Sequence, residues 1–330
     1  MYKKKKSALY ATGAEIARFF AADLDGVCAV KTIGMFCQVN DEFEHHLDMA
    51  HLIISCENLV RAGVLLELSA GGNLNQRIYM TVSYSETQAE YGEYDFLASG
   101  FEEVANRLGH SVLPIIVEKT SGDQDLGSAF LLGNTNTIIT ARHVVENMAG
   151  LKILGPNGGD IEIHNIYVSL DENIDIAVLK VSFTQPNDIV PLRVDDSGIL
   201  SEILSIGFPP IPGFDAVRIY DKAEINSFVR YSKGRIVSEA TSYLDKQDFI
   251  LFNARVKGGN SGGPILNARG RVVGMLVQIP MASDDAQKID ALGYGIAVPK
   301  DAILSALEYP TKGRELKLLR KSGFEYSTLE

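Results

Sequence analysis

The stretch GSAFLLGNTNTIITARHV, residues 127–144, places two apolar runs of strand type, SAFLLG and TIITA, on either side of a segment rich in Gly and Asn. Runs of β-branched and aromatic residues bounded by turn formers suit a pleated, half-buried surface. The same texture continues outward in both directions. VLPIIVE (112–118) precedes it; LKIL (151–154), IEIHNIYV (161–168), DIAVLKV (175–181), FILFNARV (249–256), RVVGMLV (271–277) and YGIAV (294–298) follow, separated by Gly, Pro, Asn and Asp. Many short strands with turn signals between them and little helical periodicity predict an all-β barrel or sandwich from residue 111 onward. GPNGGD (155–160) reads as a hairpin turn. Pro299 ends the last strand and opens an amphipathic helix, KDAILSALEY (300–309). Beyond it, residues 311–330 read as a solvated basic tail carrying Lys312, Arg314, Lys317, Arg320 and Lys321.

Upstream of residue 111 the pattern is mixed. Helical spacing is expected over Ala14–Leu24, short strands over Val27–Val39, an amphipathic helix over Asp41–Ala62, a strand over Gln76–Ser85 and a helix over Asp95–Leu108. The expected organisation is an α+β N-terminal domain over 1–110, an all-β domain over 111–310 and the tail over 311–330.

The 330 residues carry a net charge of −11, and the first 110 hold 9 basic against 15 acidic residues. Such a balance lacks the clustered Lys and Arg that phosphate neutralisation needs, so nucleic acid is not an expected partner. No 18-residue apolar run suggests a membrane span, and charges at Glu15, Arg18, Asp23 and Asp25 break up what would be a leader's apolar core. Cys28, Cys37 and Cys56 are an odd number confined to the N-terminal part. They are poor material for a disulfide framework, so a reducing, cytoplasmic setting is expected. Cys28 and Cys37 read as small buried residues in strands. His45, His46 and His51, with Glu42, Glu44 and Asp48, read as a solvated helix face rather than a metal site. No phosphate-binding GxxxxGK[ST] loop occurs, and no cofactor or metal is expected.

Chemistry is concentrated in three motifs that stand in one order: TARHV with His143, DIAVLKV with Asp175, and GGNSGGPI with Ser261. A serine nucleophile needs a base for its proton, a carboxylate to orient that base, and amide donors for the developing oxyanion. His143 follows a strand end. Asp175 opens an apolar run, an odd place for an unpaired charge. Ser261 sits among glycines at 258, 259, 262 and 263, which let backbone amides approach a substrate and permit positive φ.

These motifs, their order and their spacing resemble the chymotrypsin-fold serine proteases, and most of all the HtrA branch, whose members read "T..HV", "D.A.L.." and "GNSGGP". GYGIAVPKDAI resembles that branch's last barrel strand and closing helix, and SIGFPP resembles its "IG.P" turn. The likeness runs from about Val112 to Tyr309. It implies two six-stranded antiparallel β-barrels with the site in the crevice between them, and a closing C-terminal helix. It further implies Ser261 as nucleophile, His143 as general acid and base, Asp175 as its orienter, and the amides of Gly259 and Ser261 as the oxyanion hole. The implied activity is endopeptidase hydrolysis of protein or peptide substrates through an acyl-enzyme.

Departures from the family's pattern qualify that expectation. Asn260 stands where trypsin-like zymogens carry the Asp that pairs with a newly cut N-terminus, so no proteolytic activation switch is expected. No PDZ domain is expected after the closing helix and no leader or anchor before the N-terminal segment, which is read as a sensor, adaptor or oligomerisation element and a site for a regulatory partner. Val256, Arg255, Val277 and Gln278 are the residues expected around the substrate pocket. Alternation along a strand allows only one of Arg255 and Val256 to face inward, and Val256 is favoured, which predicts a small or medium aliphatic side chain before the cleaved bond. A rival reading is a protease-fold binding or adaptor module without an assembled active site.

Overall fold

The computed structural model describes residues 12–21, 30–39, 46–69, 73–156, 158–182, 189–209, 229–241, 246–256, 258–277 and 293–329. The chain divides into two compact units, Met1–Val104 and Ala105–Glu330.

In the first unit, α1 (Gly13–Phe19) begins with a capping box: the Thr12 hydroxyl accepts the Glu15 amide at 3.1 Å, and the Glu15 carboxylate accepts the Thr12 amide at 2.8 Å. After β1 (Lys31–Thr32) the chain forms α2 (Ile33–Val39) over residues that the sequence reading assigns to strand. The cause is local. The Thr32 hydroxyl accepts the Met35 amide, and Ile33 and Phe36 stand three apart, so one helical face buries both. Cys37 therefore lies on a helix and is half-buried, and Cys28 falls outside the described residues. The unit continues through α3 (His46–Arg61), β2 (Leu65–Ser69), β3 (Ile78–Thr81), α4 (Glu86–Tyr91) and α5 (Glu93–Ser99), with α6 (Phe101–Leu108) following. Its antiparallel sheet has the order β1-β3-β2, and its core is built on Ile16, Phe20, Phe36, Leu59, Tyr79 and Tyr94.

The second unit opens with β4 (Val112–Glu118), β5 (Gln124–Leu131), β6 (Thr137–Thr140), the one-turn helix α7 (Arg142–Val145), β7 (Gly150–Ile153), β8 (Glu162–Val168) and β9 (Ala177–Ser182). A second set follows: β10 (Glu202–Gly207), β11 (Arg230–Thr241), β12 (Asp248–Phe252), β13 (Pro264–Asn267), β14 (Val272–Leu276) and β15 (Gly295–Pro299). That second set closes into a six-stranded antiparallel barrel, β10-β11-β12-β15-β14-β13, around Ile203, Ile236, Phe252 and Ile265. Strands β13 and β14 are buried along their whole length, which is why VVGML reads as an unbroken apolar run.

The first set differs from the six-stranded barrel that the resemblance implies. Its strands run β8-β9-β6-β5-β4-β7, and this ladder stays open. Residues expected to form a solvated tail account for the difference. After α8 (Lys300–Ala306) and α9 (Tyr309–Lys312), the chain forms β16 (Arg314–Glu315), β17 (Leu319–Ser322) and β18 (Glu325–Ser327). β16 adds to β8, and β18 adds to β7 through Tyr326 and Leu151. The result is a nine-stranded sheet, β16-β8-β9-β6-β5-β4-β7-β18-β17. Tyr326 is buried, and its hydroxyl accepts the Ile163 amide of β8 at 3.2 Å. β7 and β8 meet where the Ile161 amide donates to the Ile153 carbonyl, and the C-terminal strands add to their edges farther along. Leu316 is also buried, Arg314 pairs with Glu146, and Arg320 pairs with Glu162. This segment is a built part of the sheet.

Candidate active site

Strand register brings the first two residues of interest together. β6 and β9 pair antiparallel with Thr140 opposite Ala177, so the residues leaving β6 stand beside those entering β9. His143, three positions beyond Thr140, therefore meets Asp175, two positions before Ala177. The Asp175 carboxylate holds His143 at two points: Oδ1 accepts the His143 amide at 2.9 Å, and Oδ2 lies 2.7 Å from Nδ1. The carboxylate is largely shielded, while the imidazole is 39% exposed, so the ring is anchored on one edge and accessible on the other. That arrangement fixes Nδ1 as the protonated nitrogen and directs Nε2 outward.

The neighbouring Arg142 is buried and gives its guanidinium to Glu146, from Nε at 2.6 Å and NH2 at 2.9 Å, while NH1 reaches the Asp171 carbonyl at 3.4 Å. Glu146 also accepts from Arg314 at 2.6 Å. The hydrogen bond from Arg142, with the positive charges of Arg142 and Arg314, holds the Glu146 carboxyl below its usual range despite partial burial.

The serine loop joins the closed barrel to the open sheet through Ser128, a residue that the motifs do not include. Ser128 of β5 is fully buried. Its amide donates to the Ser261 carbonyl at 2.9 Å, and its hydroxyl donates to the Gly259 carbonyl at 2.7 Å while accepting the Phe208 amide at 2.9 Å. Its own carbonyl accepts the Thr140 hydroxyl at 2.7 Å. The Asn260 carbonyl accepts the Gly263 amide, and Gly262 and Leu276 complete the loop's attachment to β14. The carbonyls of residues 259, 260, 261 and 263 are therefore all engaged. The amides of Gly259 and Ser261 make no hydrogen bond among the described residues.

Two glycines are required here. Gly262 has φ +84°, and a side chain on it would collide with the Ser128 carbonyl, the Thr140 hydroxyl and the Ala141 amide. That close approach sets Ser261 beside the turn that carries His143. At Gly207, within SIGFPP, a side chain would meet Asn260 Oδ1 and Ser128 Oγ. Small residues at 127–129 were the available signal for Ser128: small side chains inside a strand mark a place where another backbone comes close.

Around the expected pocket, Val256 packs against the second barrel's core and Arg255 is exposed. Val277 is buried, and Gln278 lies outside the described residues. A second histidine–serine contact, His164 Nε2 to Ser182 Oγ at 3.0 Å, lies on exposed faces of β8 and β9. Its serine leans toward Glu162 and is not set in a glycine-rich loop. Among the described residues no His, Cys, Asp and Glu side chains group as metal ligands, and no helix is long and apolar enough to cross a membrane.

Residues 127–275, which contain His143, Asp175 and Ser261, match the trypsin-like peptidase domain. The chain is 28% identical to serine protease HTRA1A of Danio rerio over 72% of its own length and 47% of that protein. It is 29% identical to the HhoB protein of Synechocystis over 54% of its length and 38% of that protein. Among solved structures, a serine endoprotease from Yersinia pestis aligns with a TM-score of 0.46 at 21% identity, covering 64% of this chain and 66% of that one. The chain spans less than half the length of these curated relatives.

Proposed function

We propose, from a trypsin-like peptidase domain of chymotrypsin-like fold with HtrA-type relatives, that this chain is a serine endopeptidase acting on protein substrates. One observation carries the reading: a histidine fixed at two points by a shielded carboxylate follows Ala141, against which Gly262 of the serine loop packs, and in that loop the carbonyls are bound while the Gly259 and Ser261 amides make no hydrogen bond among the described residues. Ser261 Oγ attacks the scissile carbonyl and gives its proton to His143 Nε2. Asp175 keeps Nδ1–H in place and stabilises the imidazolium. The amides of Gly259 and Ser261 receive the oxyanion. The intermediate collapses as His143 protonates the leaving amine, and water then releases the acyl group by the same route in reverse.

Val256, turned toward the barrel core, makes the pocket apolar and favours aliphatic side chains; a peptide library cleaved mainly after Asp or Glu would overturn that assignment. Asn260 offers no carboxylate for a new N-terminus, so control falls to loop ordering, to the first unit and to its partners, with self-association one such route. The sparse cysteines favour a reducing, cytoplasmic setting. Trapping substrates on the Ser261→Ala protein, beside labelling of the wild type with a fluorophosphonate, tests the reaction directly. No labelling of Ser261 in any state would sink it.

One observation favours a second reading, a resting or adaptor form. Among the described residues, no hydrogen bond joins Ser261 to His143. Catalytic contacts of this kind commonly tighten when substrate arrives, so substrate-stimulated labelling supports a resting enzyme and its absence supports the adaptor.

A further inference from the structure

Helix α7 has only four residues and no side-chain cap at its start, so its own hydrogen bonds cannot hold the position of His143. The segment that follows it is held from a distance in sequence. Thr328 is buried, and its hydroxyl donates to the Val145 carbonyl at 2.6 Å and accepts the Met148 amide at 3.0 Å. The Thr328 amide and the Ser327 hydroxyl both donate to the Met148 carbonyl, at 3.0 and 3.1 Å. On the other side, Arg314 grips Glu146, which in turn grips Arg142, the residue before His143. Arg142 also touches the Asp171 carbonyl, in the loop leading to Asp175.

Both flanks of His143 are thus fastened to one C-terminal strap. We infer that the segment Arg314–Thr328 is a positioning element for His143, with Thr328 and Arg314 as its positioning residues. The inference rests on His143 acting as the base. In the full chain, Thr328→Val keeps the side chain's shape and removes the hydroxyl, and Thr328→Ser restores it. Arg314→Met breaks the grip on Glu146 at a side chain that is 37% exposed, a milder change than one at buried Thr328.

The readouts are kcat and KM on an unfolded protein substrate, the rate of Ser261 labelling by a fluorophosphonate, and the low-field proton signal of the His143 Nδ1–H bound to Asp175. Thr328→Val is expected to lower kcat and labelling about tenfold with KM unchanged, since misplacing a proton-transfer group by a fraction of an ångström has costs of that order. The His143 signal should broaden, Thr328→Ser should recover both, and Arg314→Met should act in the same direction. Folded variants with wild-type kcat, labelling and His143 signal overturn the inference. If the wild type fails to label Ser261, the enzyme reading falls and the proton signal decides the strap alone: broadened in the variants, it stands; unchanged, it fails. If Thr328→Val does not fold, Arg314→Met decides.

Discussion

Replacing Ser128 by Ala removes one oxygen and strands two backbone groups. The Gly259 carbonyl loses its donor at 2.7 Å and the Phe208 amide loses its acceptor at 2.9 Å, both at a fully buried position. Leaving a buried polar group unsatisfied costs about 1–3 kcal/mol, so the pair amounts to about 3 kcal/mol with partial relaxation. For a unit of this size each kcal/mol moves the thermal midpoint by about 2–4 °C, giving a drop of about 6–12 °C. Activity should fall further than stability alone explains, because the freed Gly259 peptide adjoins an amide assigned to the oxyanion. Losing one such donor outright costs about 10²–10³ in kcat, and a misdirected one should cost about 10–100-fold, with KM little changed. Differential scanning calorimetry and steady-state kinetics on a peptide substrate, both below the variant's midpoint, provide the check. A variant within about 2 °C of wild type and with unaltered kcat would refute the claim that Ser128 fixes the serine loop.

Three further outcomes are expected. Asp175→Asn should leave the fold intact and lower kcat by about 10⁴, since an amide imposes the wrong tautomer on His143; an active variant would remove Asp175 from the mechanism. Glu146, with its carboxyl held below the ordinary 4.5 by Arg142 and Arg314, contributes stability that is fully present above that value and is lost as pH falls through its depressed folded value. Acid titration of the thermal midpoint should show this loss, and Glu146→Gln should start less stable and flatten the curve at its acid end. Cys56, fully buried on α3, has its thiol pushed up to about 12 by that burial and should resist alkylation in the native protein while half-buried Cys37 reacts sooner; equal native rates for the two would contradict the burial of Cys56.

Much of the second unit was legible because its information is local. The runs FILF, VVGML and GIAV alternate or bury as the barrel requires, and the ordered motifs point to His143, Asp175 and Ser261 as candidates, of which the structure joins His143 to Asp175 directly. Residues 33–39 were misread because apolar residues three and four apart, Ile33, Phe36 and Cys37, were weighed as β-formers instead of as one helical face. Ser128 carried only the weak signal of small neighbours. The strap carried almost none: β16 and β18 have two and three residues, and their partners at Glu146, Val145 and Met148 lie 168 to 183 positions away, beyond any local periodicity.

The open first sheet also bears on how the protein avoids sticking to itself. A detached strap would leave the outer edges of β8 at Tyr167 and Val168 and of β7 at Leu151 with bare backbone donors and acceptors, the template that other strands extend. With the strap in place, the sheet instead ends in the two-residue β16 on one side and in β17 on the other, where every residue is exposed and Arg320 and Lys321 repel a second basic edge. The C-terminal residues thus cover β7 and β8 at Leu151, Tyr167 and Val168 and present one short margin and one charged margin, so the sheet's openness brings little risk of edge-to-edge aggregation.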